Sequence, residues 1–188
     1  MINPNSEAKA VSYSRTKITE LMLPSYSNFD GRINAGFLLS LMEKAAFTCA
    51  TRHTSHFCVV ASVDEAEFFE PVEVSDLVTL FASVNYVSNT SITVGVRVEA
   101  ENIKTGVNKH VCTSYFTMIA KTADGRKVIA PLLLLEKEED VRRFIEAMYR
   151  KDTKLRAKVD YKKFVSNLDI NEHLNKLNKE RCELAFDL

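Results

Sequence analysis

The stretch AGFLLSLMEKAAFTCATRH (35–53) decides the fold. Its apolar residues fall at Ala35, Leu38, Leu39, Met42, Ala45, Ala46 and Cys49, offsets that line one face of a 3.6-residue helix. Only Glu43 and Lys44 are charged before Arg52, so the segment predicts a long helix whose apolar face lies in the core. The stretch before it, PSYSNFDGRINAG (24–36), is polar and turn-forming, with Gly31 and Gly36.

Beyond this helix the period drops to two. FCVVASVDEAEFFEPV (57–72), LVTLFASVNYV (77–87), SITVGVRVEAE (91–101) and NKHVCTSYFTMIAK (108–121) read as strands; Ile92, Val94, Val96 and Val98 mark one face of the third. The turns between them are short, and short connections join antiparallel neighbours. Upstream, VSYSRTKITELML (11–23) carries β-branched residues and stops at Pro24, which predicts a first strand. Downstream of ADGRKVIAPLLLL (123–135), helical spacing returns, with Val141, Phe144, Ile145 and Met148 as the expected apolar side. One strand, a long helix and four antiparallel strands make an α+β plan with a sheet wrapped around a central helix. The organisation expected is a tail (1–10), one domain (11–135) and a charged helical extension (136–188).

Charge and composition narrow the functional classes. Lys plus Arg and Asp plus Glu are 25 each in 188 residues, so no global field favours nucleic acid or an anionic membrane. Within 149–163 the balance is local, seven basic residues against two acidic ones, which without other information is a solvated face. Cys49, Cys58, Cys112 and Cys182 form no C-x-x-C pair, as expected of reduced thiols. MINPNSEAKAVSYSR has no apolar h-region, and no apolar run approaches about 20 residues. A soluble, cytoplasmic chain without a membrane span is expected. His53 and His56 have no third ligand spaced to join them, so no metal is expected. Neither a G-x-S-x-G elbow nor a P-loop occurs.

The run SNFDGRINAGFLLSLMEKAAFTCATRH (27–53), followed by VVASVDEAEFFEPVEVSD and VNYVSNTSITVGVRVEAENIKTG, resembles the hotdog-fold acyl-CoA thioesterases. The most specific pieces are G-x-x-x-A-G-x-L-L-x-x-M-E, the A-S-V-D strand and T-S-I after a turn. The resemblance implies a helix wrapped by a five-stranded antiparallel sheet. It also implies homo-oligomers, either dimers or trimers of dimers, with active sites at subunit interfaces. The implied substrate is an acyl-CoA, hydrolysed to fatty acid and CoA without metal or organic cofactor.

Such chemistry needs a base or nucleophile, an oxyanion stabiliser, an acyl slot and a cationic grip on phosphates. On its own, Glu43 is a solvated helix residue and Gly36 a packing or turn residue; Asn34 and Asn28 are turn residues. The resemblance implies that Glu43 activates water or attacks the carbonyl, and that the amides of Ala35 and Gly36 at the helix N-terminus polarise it. Asn34 is a candidate for the polar role in the loop. For CoA the resemblance points to Ala61, Ser62 and Val63 and to Thr90, Ser91 and Ile92, otherwise ordinary strand residues. Arg150 and Lys151 are candidates for the phosphates. Many family members carry Asn or Asp where this chain has Arg32, a departure that motivates the alternative of a non-catalytic acyl-CoA binding or sensing protein.

Overall fold

A computed structural model describes residues 8–177 and 179–185. In chain order the elements are β1 (Lys9–Ala10), α1 (Val11–Ser14), β2 (Thr16–Leu21), a 3₁₀ turn (Pro24–Tyr26), α2 (Ala35–Thr54), β3 (Phe57–Val63), β4 (Glu67–Phe68), β5 (Asp76–Val87), β6 (Ser91–Asn102), β7 (Val107–Lys121), β8 (Leu133–Leu134), α3 (Glu138–Ser166) and α4 (Ile170–Leu177). The chain divides into two compact units, with the boundary between Met148 and Tyr149.

In the first unit the main sheet runs β2-β5-β6-β7-β3, antiparallel throughout, and β4 adds a short pairing to β7. This is the expected sheet around a central helix. β6 shows why: Ile92, Val94, Val96, Val98 and Ala100 are all fully buried against α2, while Gly95 and Arg97 alternate onto the opposite face. Each buried valine contributes about 1.5–3 kcal/mol of transfer free energy. The helix answers with Leu38, Leu41, Met42, Ala45, Ala46, Cys49 and Ala50. Three alanines and a cysteine on that face let the sheet come close. Ser55, in the left-handed conformation at φ 57°, ends the helix, and its N–H donates to Thr51 O.

Three readings need correction. Residues 11–14 are a helical turn and not the start of a strand; Val11 and Ser14, three apart, are the buried pair. The strand expected over 57–72 breaks at Asp64, whose N–H donates to Tyr115 O, and resumes as the two-residue β4. On α3 the buried residues are Asp140 and Ala147, whereas Val141, Ile145 and Met148 of the expected apolar side are exposed. The reason is polar: Arg15 reaches Asp140 at 2.8 Å and fixes that face inward. Phe144 then meets the Tyr86 ring at 5.0 Å.

Candidate active site

The loop entering α2 is held by its own backbone. Gly31, at φ 81°, closes a turn in which its N–H donates to Asn28 O, and Asn28 N–H donates to Arg32 O. Arg32 turns back to Asp30, its N–H on Asp30 Oδ1 at 3.0 Å and its guanidinium 3.9 Å from the same carboxylate, both side chains exposed. Ile33 N–H donates to Val72 O and Asn34 N–H to Tyr26 O, which tie the loop to its neighbours. The Tyr26 and Phe37 rings stack at 3.9 Å.

Asn34 is the N-cap of α2, and its Oδ1 accepts from Gly36 N–H at 2.7 Å. A Cβ at position 36 would sit 3.0 Å from that oxygen, which is why glycine suits the position. The cap separates two amides that the sequence reading treated alike. Gly36 N–H is occupied, whereas Ala35 N–H has no acceptor among the described residues. Both residues are exposed at the positive end of a 20-residue helix.

Glu43 stands two turns further along. It is exposed and lines a groove of about 470 Å³ between α2 and β3, together with Lys44, Phe47, Thr48, Phe57, Cys58, Val59 and Val60. Phe47 and Phe57 meet edge to face at 5.3 Å and form its apolar wall. Sequence reasoning missed Phe57, because a residue at a strand start gives no signal of which groove it joins. Burial raises the Cys58 thiol above its ordinary range, so it stands in the groove as a neutral thiol, not a nucleophile. Cys49, deeper, is pushed up to about 12 by burial. Seven residues separate Gly36 from Glu43, so they share a face but lie about 10 Å apart along the axis.

β3 forms one edge of the five-stranded path, and its register on β7 shifts between Val60 and Ser62, leaving Ala61 at the irregularity. Ala61 and Val63 are exposed there and Ser62 is half-buried. Ser91 and Val59 both pair with Ile119, so the two segments implied for CoA lie on either side of β7. Thr90 and Ser91 are half-buried, but Ile92 is fully buried with its side chain in the core. A CoA contact at position 92 is therefore limited to the backbone. Arg150 and Lys151 lie on the part of α3 that belongs to the second unit.

His53 is buried, its Nε2 3.2 Å from Pro131 O, and His56 is exposed with Nδ1 2.8 Å from Thr54 O. The two histidines are thus engaged with different backbone carbonyls and do not converge.

A family model described as "Thioesterase superfamily" matches residues 30–107. Protein VdlD of Helicobacter pylori (strain ATCC 700392 / 26695) is 38% identical over 145 residues, 76% of this chain and 83% of the relative. YkhA of Bacillus subtilis (strain 168), named as an acyl-CoA thioester hydrolase, is 30% identical over 135 residues, 72% of this chain and 78% of its own. Among solved structures, an apo-hexameric acyl-CoA thioesterase superposes with a TM-score of 0.77 at 32% identity, over 80% of this chain and 97% of the other.

Proposed function

The chain belongs to the thioesterase superfamily, as an acyl-CoA thioester hydrolase of the hotdog fold, and from this we propose that Glu43 is its general base and Ala35 N–H its standing oxyanion donor. The observation that carries the assignment is that Glu43 is the carboxylate in the groove walled by Phe47 and Phe57. A carboxylate at the mouth of an apolar slot meets a water and an acyl chain together.

In this reading Glu43 takes a proton from water as its oxygen attacks the thioester carbonyl carbon. The tetrahedral oxyanion is met by Ala35 N–H, and by Gly36 N–H once Asn34 Oδ1 swings away. Collapse breaks the carbon–sulfur bond. The CoA thiolate leaves readily, since a thiol pKa near 8.5 asks little acid assistance, and the proton on Glu43 returns to it. The chemistry asks for neither metal nor organic cofactor, and CoA enters only as part of substrate and product.

Glu43 and the helix N-terminus lie about 10 Å apart along the axis, backbone to backbone. Because a similar solved structure is hexameric, we assign Glu43 of one copy of the chain and the amides of another to one site. A homo-oligomer follows, its copies joined along the unpaired edge of β3, where Phe57 and Val63 are exposed. Ala61, Ser62 and Val63 on that edge, with Thr90, Ser91 and the Ile92 backbone, receive the pantetheine arm; Arg150 and Lys151 receive phosphates. Among the described residues no helix is long and apolar enough to cross a membrane. We place the enzyme in cytoplasmic lipid metabolism, where acyl-CoA substrates arise.

Following free-thiol release from acyl-CoA substrates of increasing chain length, acetyl to palmitoyl, tests the proposal. Saturable release with at least one chain length is expected. Micromolar binding of acyl-CoA without any release would replace hydrolysis by the sensing role that Arg32 motivated.

A further inference from the structure

The face of the sheet turned away from α2 carries a second cavity, of about 820 Å³, roofed by the start of α3 and unused by the thioester chemistry. Its floor is polar and preorganised. Ser83 on β5 donates its hydroxyl to Asn85 Oδ1 at 3.0 Å, and the two side chains are 9% and 5% exposed. Asn85 lies across Gly95 of β6, where a Cβ would come within 2.6 Å of Asn85 Nδ2 and 3.2 Å of the Tyr115 ring. Glycine at this point in a central strand has no packing value of its own. It leaves room for a buried amide on a sheet face that otherwise points to solvent.

The walls are cationic. Arg15, Lys17, Arg97, Lys137, Arg142 and Arg143 line the cavity, against Glu99, Glu139 and Glu146. All four arginines are already engaged: Arg15 with Asp140, Arg97 with Glu99, Arg142 and Arg143 with Glu139. Lys17 and Lys137 form no direct ion pair among the described residues, although the Lys137 charge acts on the Glu136 carboxylate beside it. Lys17 instead lies 5.6 Å over the Phe81 ring at the rim. Two ammonium groups outside any direct ion pair and a fixed amide floor suit an anion with several oxygen acceptors, and the volume exceeds that of a lone phosphate.

We propose that this cavity binds a small phosphate-bearing molecule at a site distinct from the Glu43 groove. Its phosphate is held by Lys17 and Lys137, and the body of the molecule lies on Asn85 and Gly95. The phosphate belongs to a free phosphorylated metabolite, because the proposed function already gives the CoA phosphates to Arg150 and Lys151. The inference does not depend on Glu43 being the base, and Glu43→Gln should leave it intact.

Isothermal titration of the full chain with inorganic pyrophosphate, and separately with CoA, tests the proposal. Binding of pyrophosphate is expected, weakened at least tenfold in the Lys17→Gln/Lys137→Gln variant with an unchanged melting temperature, while CoA binding should be the same in parent and variant. Pyrophosphate that does not compete with acyl-CoA in thiol release supports the separate site; competition would overturn it. Absence of pyrophosphate binding would overturn the proposal, as would undiminished pyrophosphate binding in the double variant or citrate binding as tightly as pyrophosphate. A variant that changes the oligomeric state instead of binding would show that the cavity is filled by another copy, which also overturns it.

Discussion

Asn34 carries two duties that pull against each other. As N-cap it stabilises α2 by occupying Gly36 N–H, yet in the proposed reaction that amide is wanted by the oxyanion. Asn34→Ala should cost about 1 kcal/mol of stability, the usual worth of such a cap, seen as a lower urea midpoint. Its kcat should fall less than that of Glu43→Gln, because Ala35 N–H stays in place. A loss of kcat equal to that of Glu43→Gln would make Asn34 a direct participant. The cap was open to sequence reasoning, since Asn before an apolar-periodic run is a start signal. What could not be read was that its oxygen would choose Gly36.

His53 makes a prediction of a different kind. Burial disfavours its charged form and lowers its pKa below the ordinary value of 6.5, although Pro131 O partly opposes this. Above about pH 6.5 the imidazole is neutral folded and unfolded, and contributes no pH dependence. As pH falls below that, the unfolded chain takes up a proton that the folded one refuses, so stability declines until the folded pKa is reached. Urea midpoints between pH 7 and 5 should fall more steeply for the parent than for His53→Gln. Parallel slopes would show that His53 titrates as it does in the unfolded chain.

At the scale of elements, the clearest signals came from faces with one outcome. β6 buries a single periodic set, Ile92 through Ala100, which spacing alone identifies; on α2 the spacing found Leu38, Met42, Ala45, Ala46 and Cys49 but took in Ala35, which is exposed, and passed over Leu41 and Ala50, which are buried. α3 was misread because its period allowed either face inward. Arg15–Asp140, a long-range ion pair invisible to local pattern, decided between them. The turn at 11–14 was misread because four residues are too few to separate a period of two from one of 3.6. The small residues of α2 carry a further consequence. Ala46 is fully buried where helix meets sheet, so Ala46→Leu should destabilise by about 1–3 kcal/mol through overpacking, measured by urea denaturation. Lys44→Leu, on the exposed side, should change the midpoint little. Equal effects would mean that the helix does not sit against the sheet by this face.

For the whole molecule, the proposed reaction draws Glu43 and the helix-start amides from two copies of the chain. The candidate site was only partly legible: periodicity placed the helix, its start and the spacing to Glu43, the resemblance singled Glu43 out, and the groove walled by Phe47 and Phe57 emerges only once the strand is laid beside the helix. Light scattering should find an assembly of at least two chains at micromolar concentration, and a stable monomer would remove the shared site. Arg150→Ala/Lys151→Ala should raise KM for acyl-CoA with kcat nearly unchanged, since contacts remote from the carbonyl bind ground and transition states alike. An unchanged KM would leave those two residues without a part in binding.

The most direct measurement is the rate of free-thiol release by Glu43→Gln beside the parent, at saturating acyl-CoA and with the oligomer and CoA affinity checked in parallel. The substitution keeps the size of the side chain and removes the carboxylate. With assembly and affinity preserved, kcat should fall by about 10² to 10⁴; thiol release at the parent rate would contradict the assignment of Glu43 as the base.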